Sequence, residues 1–431
     1  MGFRTVVKKF IPSGLFPAIE PYGHLVEAVI FNTLNGFPGR KFKVIGVTGT
    51  NGKTTTSFLI HKMLHEAGYK VGLMTTVAYG AGDTIKPQME HMTSVPVPQL
   101  MKRLKWMKSQ GVEWLVLETT SQALAQNRVW GVPYSVAVMT NVTHEHLDYH
   151  KTFENYRDAK KKLFELANKN KKGLQTGIIN VEDPSAELFA AAIKKPVLYG
   201  IGKGDLKANN VQLTASGSTY QATISTDSYD ITCHLPGSFN VYNSLAVIGV
   251  GRALGLTKEQ IETGIAALKN VEGRMTTINE GQDFEVIVDY AHTPDSFEKL
   301  FKDLKPVVKG KLIVMFGSAG RRDEAKRPVQ GELAGQYADE VVITEEDDRD
   351  IDGQQIMDEI AAGAEKAGKT RDKDLFLVHD RTEAINFTVK RAGKDDTVLL
   401  LGKGHEKTIE RADGEHPWDE IGTAHHALKT T

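Results

Sequence analysis

The chain holds one cysteine, Cys233, in 431 residues. That excludes an internal disulfide framework and any cluster of thiolate metal ligands. Neither sign of charge is in excess: 53 Lys and Arg against 54 Asp and Glu leave a formal net charge of −1. Nothing in that balance points to nucleic acid as a partner. No apolar run is long enough to span a bilayer; the best, Leu25 to Leu34, is short and interrupted by Glu27. No signal-peptide cleavage pattern follows it, so no transmembrane segment is expected. A helix packing on the body of the protein is the favoured reading there, with a peripheral membrane contact as the alternative. Internal repeats and low-complexity tracts are also missing. What remains is 40% hydrophobic and 25% charged, an ordinary globular balance in a chain long enough for two or three domains. Cytoplasmic residence is the natural expectation, and the oligomeric state is left open.

Against these absences stands VIGVTGTNGKTTTSF, from Val44 to Phe58. An apolar strand-like run enters a turn with glycines and leaves it as a helix. Backbone N–H groups of such a loop converge on phosphate oxygens, and the helix N-terminus adds its positive dipole end. Gly49, Thr50, Asn51, Gly52 and Thr55 form the expected cradle; Lys53 reaches the terminal phosphates and the Thr54 hydroxyl suits Mg²⁺. The spacing departs from G-x-x-x-x-G-K-[ST], because Val47 stands five residues before Gly52, between Gly46 and Gly49.

The pattern predicts an α/β fold. From Lys43 to about Lys172, strand-like and helix-like stretches alternate, as in a parallel sheet covered on both faces. Residues 205–235 alternate at period two and read as an antiparallel insert or edge, and helices follow at 240–254 and 257–268. From Gly273 a second, Rossmann-like βα series begins, with EVIVDYAH, KLIVMFGSAG, EVVITEED, DLFLVHD and TVLLLGKG as its strands. The expected domains are a short extension over 1–43, a central P-loop-like ATP-binding domain over 44–270 and a C-terminal domain over 271–431. In doubly wound sheets ligands sit beyond the carboxyl ends of the strands. Polar residues collect there: Glu118, His144, His146, Asp289, His292, Lys403, His405 and Glu406. Glu118 and His146 near a phosphate loop suit a second Mg²⁺.

The series GVTGTNGKTTT, LETTSQAL, TNVTHEHLDYH, YRDAKKKLF, LPGSFNVYNSLA, GRM, VDYAHTPDS, RRDEAKRP and GKGHE resembles the Mur ligases, and among them the MurE type. The likeness runs from about residue 41 to the C-terminus. It implies an amide-forming ligase of peptidoglycan synthesis that uses ATP and Mg²⁺ and takes small-molecule substrates. A muramoyl-peptide carboxylate accepts the γ-phosphoryl group as an acyl phosphate, and an amino-acid amine then displaces phosphate.

Carried over by position, the resemblance implies that Lys53 and Thr54 contact phosphate and Mg²⁺, and that Glu118 and His146 ligate the second Mg²⁺. Lys160 matches a lysine that the family carbamylates; without that match it reads as one of a solvated run, Lys160 to Lys162. Asn240 and Asn243 resemble adenine-side contacts, and Arg274 and Asp289 resemble the contacts of the last domain with nucleotide. Thr93, Ser94, Thr120, Gln126 and Arg128 correspond to muramoyl-peptide contacts, while Gln122 stands where the family usually has histidine.

For the added amino acid, Arg322 and Arg349 match carboxylate-binding positions of diaminopimelate-adding members. Gly402 and Glu406 match the positions that hold its far end. The family run D-N-P-R reads Glu346-Asp347-Asp348-Arg349 here. The retained arginine favours meso-diaminopimelate; Asp347 as an ammonium holder keeps lysine or ornithine open. Only about 43 residues precede the first strand, fewer than a separate UDP-binding domain of the usual size requires. The UDP part is then held differently, or the substrate is not UDP-linked. A related ligase on another substrate and a non-catalytic binding subunit are the remaining alternatives.

Overall fold

The computed structural model describes residues 16–88, 92–214 and 217–430. Its backbone falls into two compact units. The first takes the described residues up to Asn209, with Gln221–Asp230 and Tyr242–Ala267. The second takes 210–220, Ile231–Val241 and the chain from Leu268 onward.

The larger sheet contains β1 (Lys43–Thr48), β2 (Val71–Met74), β3 (Ala78–Ala81), β4 (Thr84–Pro87), β5 (Trp114–Glu118), β6 (Tyr134–Met139), β7 (Thr176–Asn180), β8 (Lys195–Ile201), β9 (Leu206–Thr214), β10 (Gly217–Ile224) and β11 (Asp227–Cys233). Its order is β11-β10-β9-β8-β7-β6-β1-β5-β2-β3-β4. β1 lies between β5 and β6 and pairs with both in parallel. Every residue of β5 and β6 is buried, as in a parallel sheet covered on both faces. The strand-like alternation of 205–235 forms an edge of this same sheet. At the other edge, β3 and β4 make a short antiparallel hairpin whose outer strand is exposed throughout.

The N-terminal helix, Phe16–Leu34, begins earlier than its apolar stretch. His24, Ala28 and Asn32, spaced by four, are buried on one face, while Tyr22, Val26, Ile30 and Leu34 are exposed. Asn32 fixes that packing by donating its side-chain N–H to the Trp130 carbonyl at 3.0 Å. Among the described residues no helix is long and apolar enough to cross a membrane.

The second sheet holds β12 (Thr276–Ile278), β13 (Glu285–Asp289), β14 (Leu312–Phe316), β15 (Glu340–Ile343), β16 (Leu375–Leu377) and β17 (Thr397–Leu401). Its order is β12-β13-β17-β14-β15-β16, parallel except for the β12–β13 edge pair. A separate hairpin pairs β18 (Thr408–Arg411) with β19 (Gly414–Pro417). Helix Pro294–Leu304 shows how sequence sets local structure here. Thr293 and Ser296 form a capping box, proline takes the first turn, and Phe297, Leu300, Phe301 and Leu304 line the buried face. Each such side chain contributes about 1.5–3 kcal/mol on burial.

One buried ion pair holds the strand ends of this unit. Arg381 is fully buried and meets Glu420, also buried, through Nε at 2.8 Å and Nη2 at 2.6 Å. Its remaining N–H groups donate to the carbonyls of Glu345 (2.9 Å) and Leu401 (2.7 Å), just beyond β15 and at the end of β17. Glu420→Ala leaves that guanidinium without its anion and is expected to cost about 3–5 kcal/mol. Glu298→Ala, which removes an exposed partner of Lys302, is expected to leave the unfolding midpoint nearly unchanged, because solvent screens that pair. Urea denaturation of both variants tests the contrast; equal midpoints for the two would refute it.

Candidate active site

In the first unit the chain leaves β1 at Thr48, turns through Gly49–Gly52 and enters helix Lys53–Glu66. Both glycines are demanded by geometry. Gly49 has φ 152° and faces the Thr140 hydroxyl; Gly52 has φ 80°, and a Cβ there would collide with the Asn243 side-chain oxygen. Asn243 thus rests against the loop and accepts the Thr56 hydroxyl at 3.1 Å. Thr50 accepts the Thr143 N–H at 2.9 Å, and Asn51 donates its N–H to Asn141 at 2.9 Å, so the loop is tied to the end of β6. Lys53 curls back to donate to the Thr50 carbonyl at 2.7 Å. Thr55 is buried in the first turn of the helix.

Glu118 ends β5 as a buried carboxylate. Its Oε2 accepts from the Thr54 hydroxyl and the Thr76 N–H, both at 3.0 Å, and Oε1 accepts from the Thr76 hydroxyl at 3.0 Å. Thr76 also lies 2.9 Å from Thr93. Lys160 enters the loop from the other side, on helix Phe153–Lys169. It is buried, donates to the Gly49 carbonyl at 2.5 Å and lies 4.4 Å from the centre of the Tyr156 ring. Burial, and then the nearby positive charge of Lys53, push its ammonium well below the usual lysine range. His146 is about 42% exposed and its Nε2 lies 3.8 Å from Glu145, whose carboxylate also accepts the Tyr156 hydroxyl at 3.4 Å. Thr54, Glu118 and Lys160 therefore gather around the loop, with His146 held nearby through Glu145 and Tyr156.

Beyond β5, Ser94 accepts from both the N–H and the hydroxyl of Thr120 at 3.2 Å. Thr120 caps the short helix Ser121–Ala125, and Gln126 closes it. Arg128 is buried and donates to the Ser94 carbonyl. Ser94, Thr120 and Arg128 make one polar cluster, which Thr93 joins to Glu118 through Thr76.

The second unit carries the remaining residues. Asp289 accepts from the N–H groups of Met275 (2.8 Å) and Ala291 (2.7 Å), yet burial holds its carboxyl above the usual range. Arg274 lies over the Tyr290 ring at 4.6 Å, with its Nε buried and unpaired. Asn240 donates to the Pro236 carbonyl at 2.6 Å. Arg322 is exposed.

After β15, residues Glu345 to Asp348 are all buried. Lys403, fully buried beyond β17, joins Asp347 at 2.9 Å and Glu406 at 2.6 Å. Burial alone would lower this ammonium; the Glu406 and Asp347 carboxylates outweigh it and hold the lysine charged above its ordinary range. Asp347 also accepts the Glu410 N–H at 2.9 Å, so its Oδ1 is already engaged. Glu346 differs. Its Oε2 is buried with no donor and faces Gly402, where a Cβ would come within 2.7 Å of it. Arg349 is engaged with Glu410, with the Gly320 carbonyl and, at 3.9 Å, with Asp347.

Several of these contacts escaped the sequence. Thr76, two residues past β2, sits at a strand end and was reachable by the same rule that found Glu118. Glu145, Tyr156 and Glu410 carry no local signal. Glu346 stands in a recognised run, but composition alone does not say which oxygens of the four acids, here Glu346 Oε2 and Asp348 Oδ1, are left without a donor.

The chain is similar to known proteins. Residues 47–251 match the Mur ligase middle domain, and residues 273–404 match the Mur ligase, glutamate ligase domain. A UDP-N-acetylmuramyl-tripeptide synthetase of Roseiflexus sp. (strain RS-1) is 40% identical over 425 residues, 96% of this chain and 84% of the relative. A UDP-N-acetylmuramoyl-L-alanyl-D-glutamate–2,6-diaminopimelate ligase of Geobacillus thermodenitrificans is 37% identical over 95% of this chain and 84% of its own. A solved ligase of that second name superposes with a TM-score of 0.62 at 30% identity, covering 90% of this chain and 78% of that one. The Mycobacterium tuberculosis folylpolyglutamate synthase complexed with ADP gives a TM-score of 0.70 at 16% identity over 95% and 94%, a likeness of fold.

Gly52→Ala puts a Cβ against Asn243 in a left-handed backbone, a strain of about 1–3 kcal/mol. Equilibrium dialysis with ATP is expected to show affinity reduced by roughly 5- to 150-fold. Wild-type affinity in that variant would overturn the role given to the loop.

Proposed function

This chain belongs to the Mur ligase family, whose members are ATP-dependent ligases, and we propose that it extends UDP-MurNAc-L-Ala-D-Glu with a diamino acid. The favoured amino acid is meso-diaminopimelate, and the setting is the cytoplasmic stage of peptidoglycan synthesis. The observation that carries this reading is the convergence of Thr54, Glu118 and Lys160 on the Gly49–Gly52 loop. The names of the similar ligases supply the substrate, and the run ending in Arg349 supplies the acceptor.

The donor set fits ATP and Mg²⁺. A hydroxyl and a carboxylate oxygen 3.0 Å apart are hard oxygen ligands, and Gly49 and Gly52 let the loop pack closely against Thr140 and Asn243, where any Cβ would collide. ATP supplies the phosphoryl group that activates the dipeptide carboxylate, and Mg²⁺ neutralises the charge on it. Lys53 adds a fixed positive charge to the same loop. Thr54, Glu118 and His146 are assigned to metal. Asn243 and Asn240 are assigned to the adenine side, and Arg274 and Asp289 to contacts of the second unit with nucleotide. Thr93, Ser94, Thr120, Gln126 and Arg128 are assigned to the muramoyl dipeptide.

Lys160 has the chemistry that carbamylation requires. The reaction needs the uncharged amine, and a lowered pKa supplies more of it near neutral pH. The nitrogen of the neutral amine bonds to the carbon of CO₂ and one proton leaves to water, converting a buried uncharged amine into an anion near Glu118. On the acceptor side, Glu346 and Glu406 provide carboxylates for the distal ammonium, with Gly402 keeping the approach open. Arg349 and Arg322 provide guanidinium groups for the second carboxylate.

The deciding assay measures ADP release from the purified chain with ATP, Mg²⁺ and UDP-MurNAc-L-Ala-D-Glu, offering meso-diaminopimelate, lysine or ornithine. Acceptor-dependent ADP with meso-diaminopimelate is the expected result; none with any acceptor rejects the reading. Lys160→Ala is expected to lose at least about 10²-fold in kcat, as does loss of a preorganised charged group. Formate or acetate should restore part of that loss. Normal turnover in the variant without them would remove the carbamate from the scheme.

A further inference from the structure

The guanidinium of Arg349 is occupied by the chain itself. Nε donates to the Glu410 carboxylate at 2.7 Å, Nη1 donates to the Gly320 carbonyl, and Nη2 lies 3.9 Å from Asp347. Two backbone bonds fix the partners: the Arg349 N–H donates to the Glu410 carbonyl at 3.0 Å, and the Glu410 N–H donates to Asp347 at 2.9 Å. Arg349 is held with φ 58°, a left-handed backbone that a non-glycine residue adopts only when its surroundings enforce it. The neighbouring Arg321 is paired with Asp350, which leaves the exposed Arg322.

The geometry points to Glu410 as a specificity-determining residue, an internal carboxylate occupying the place on Arg349 that the second carboxylate of a dicarboxylic diamino acid would take. This inference rests on the acceptor reading given above. A carboxylate tethered on β18 competes at a high effective concentration, because it pays no translational entropy to stay. A dicarboxylic acceptor must displace it. A monocarboxylic diamino acid such as lysine has nothing to place there and leaves the Arg349–Glu410 pair intact. Glu410 therefore narrows the preference for diaminopimelate over lysine without touching the nucleotide or the reacting carboxylate.

Glu410→Gln removes the competing charge and keeps the backbone bonds; Glu410→Ala is the second variant, and thermal melting verifies that both fold. Calorimetric titration of meso-diaminopimelate, and of lysine, into wild type and variants is paired with KM for each amino acid and for ATP. Both variants are expected to bind meso-diaminopimelate about tenfold more tightly, with KM lowered alike and the values for lysine and ATP unchanged. Unchanged or weaker diaminopimelate binding in both variants overturns the inference, whether or not wild type shows turnover. Normal wild-type turnover with unchanged binding leaves the ligase reading standing and removes only the role of Glu410. Tighter binding in the variants, with no ADP released by wild type from any acceptor, keeps the role of Glu410 and rejects the ligase reading.

Discussion

A fully buried ammonium stays charged only where anions surround it, and Lys403 meets that condition with Asp347 on one side and Glu406 on the other. Lys403 follows β17 and Asp347 follows β15, so the triad draws two loops of the second unit into one cluster. The other charges of the cluster are placed by what that pairing leaves over. Asp347 is committed to Lys403, and Glu346, beside it, keeps a carboxylate oxygen with no donor. Beneath them, Arg381 binds the carbonyls of Glu345 and Leu401 while Glu420 neutralises it. These strand ends are therefore fixed by charge pairing in a low-dielectric interior, where a missing partner is costly.

The first unit applies the same constraint with the opposite outcome. Lys160 is as buried as Lys403 but has a backbone carbonyl as its hydrogen-bond partner and a like charge nearby in Lys53. Glu118, which would serve as a counter-ion, is taken up by Thr54 and Thr76. One buried lysine is thus held as a permanent cation that organises loops. The other is driven toward the neutral amine, the form with a free lone pair for bonding carbon. The difference between the two lysines here is the number of carboxylates within hydrogen-bond reach.

The turn between β1 and its helix was legible because its signal is local: glycines, lysine and threonines at fixed spacing between an apolar run and a helix. The parallel strands were legible for a similar reason, since apolar runs such as WLVLE and SVAVM mark strands buried on both faces. Residues 205–235 were read as an antiparallel insert or edge; they form an edge of the main sheet, which β9 joins by pairing with β8 in parallel. The β3–β4 hairpin gave no apolar signal, because its outer strand is exposed. Side-chain pairing was the least legible level. Arg349 and Glu410 are 61 positions apart, and nothing in either segment announces the other. Among four consecutive acids, Glu346 and Asp348 each keep a buried oxygen with no donor, and which oxygens are satisfied depends on Lys403 and His379, which arrive from other strands.

The departures from the D-N-P-R run become coherent once these pairings are seen. Asparagine at 347 would give Lys403 a dipole where Asp347 gives a charge, leaving Glu406 as its only anion. At 348 an aspartate pairs with His379 at 3.0 Å, above Gly353, where any Cβ would strike both side chains. A proline there offers no such partner. Both aspartates place negative charge near an arginine that the run retains, and like charge alone would repel a further carboxylate. Glu410 stays on Arg349 because the backbone holds it there: its carbonyl accepts the Arg349 N–H and its own N–H donates to Asp347. The Arg349–Glu410 pair is therefore set by the hairpin and the loop together and not by the arginine alone.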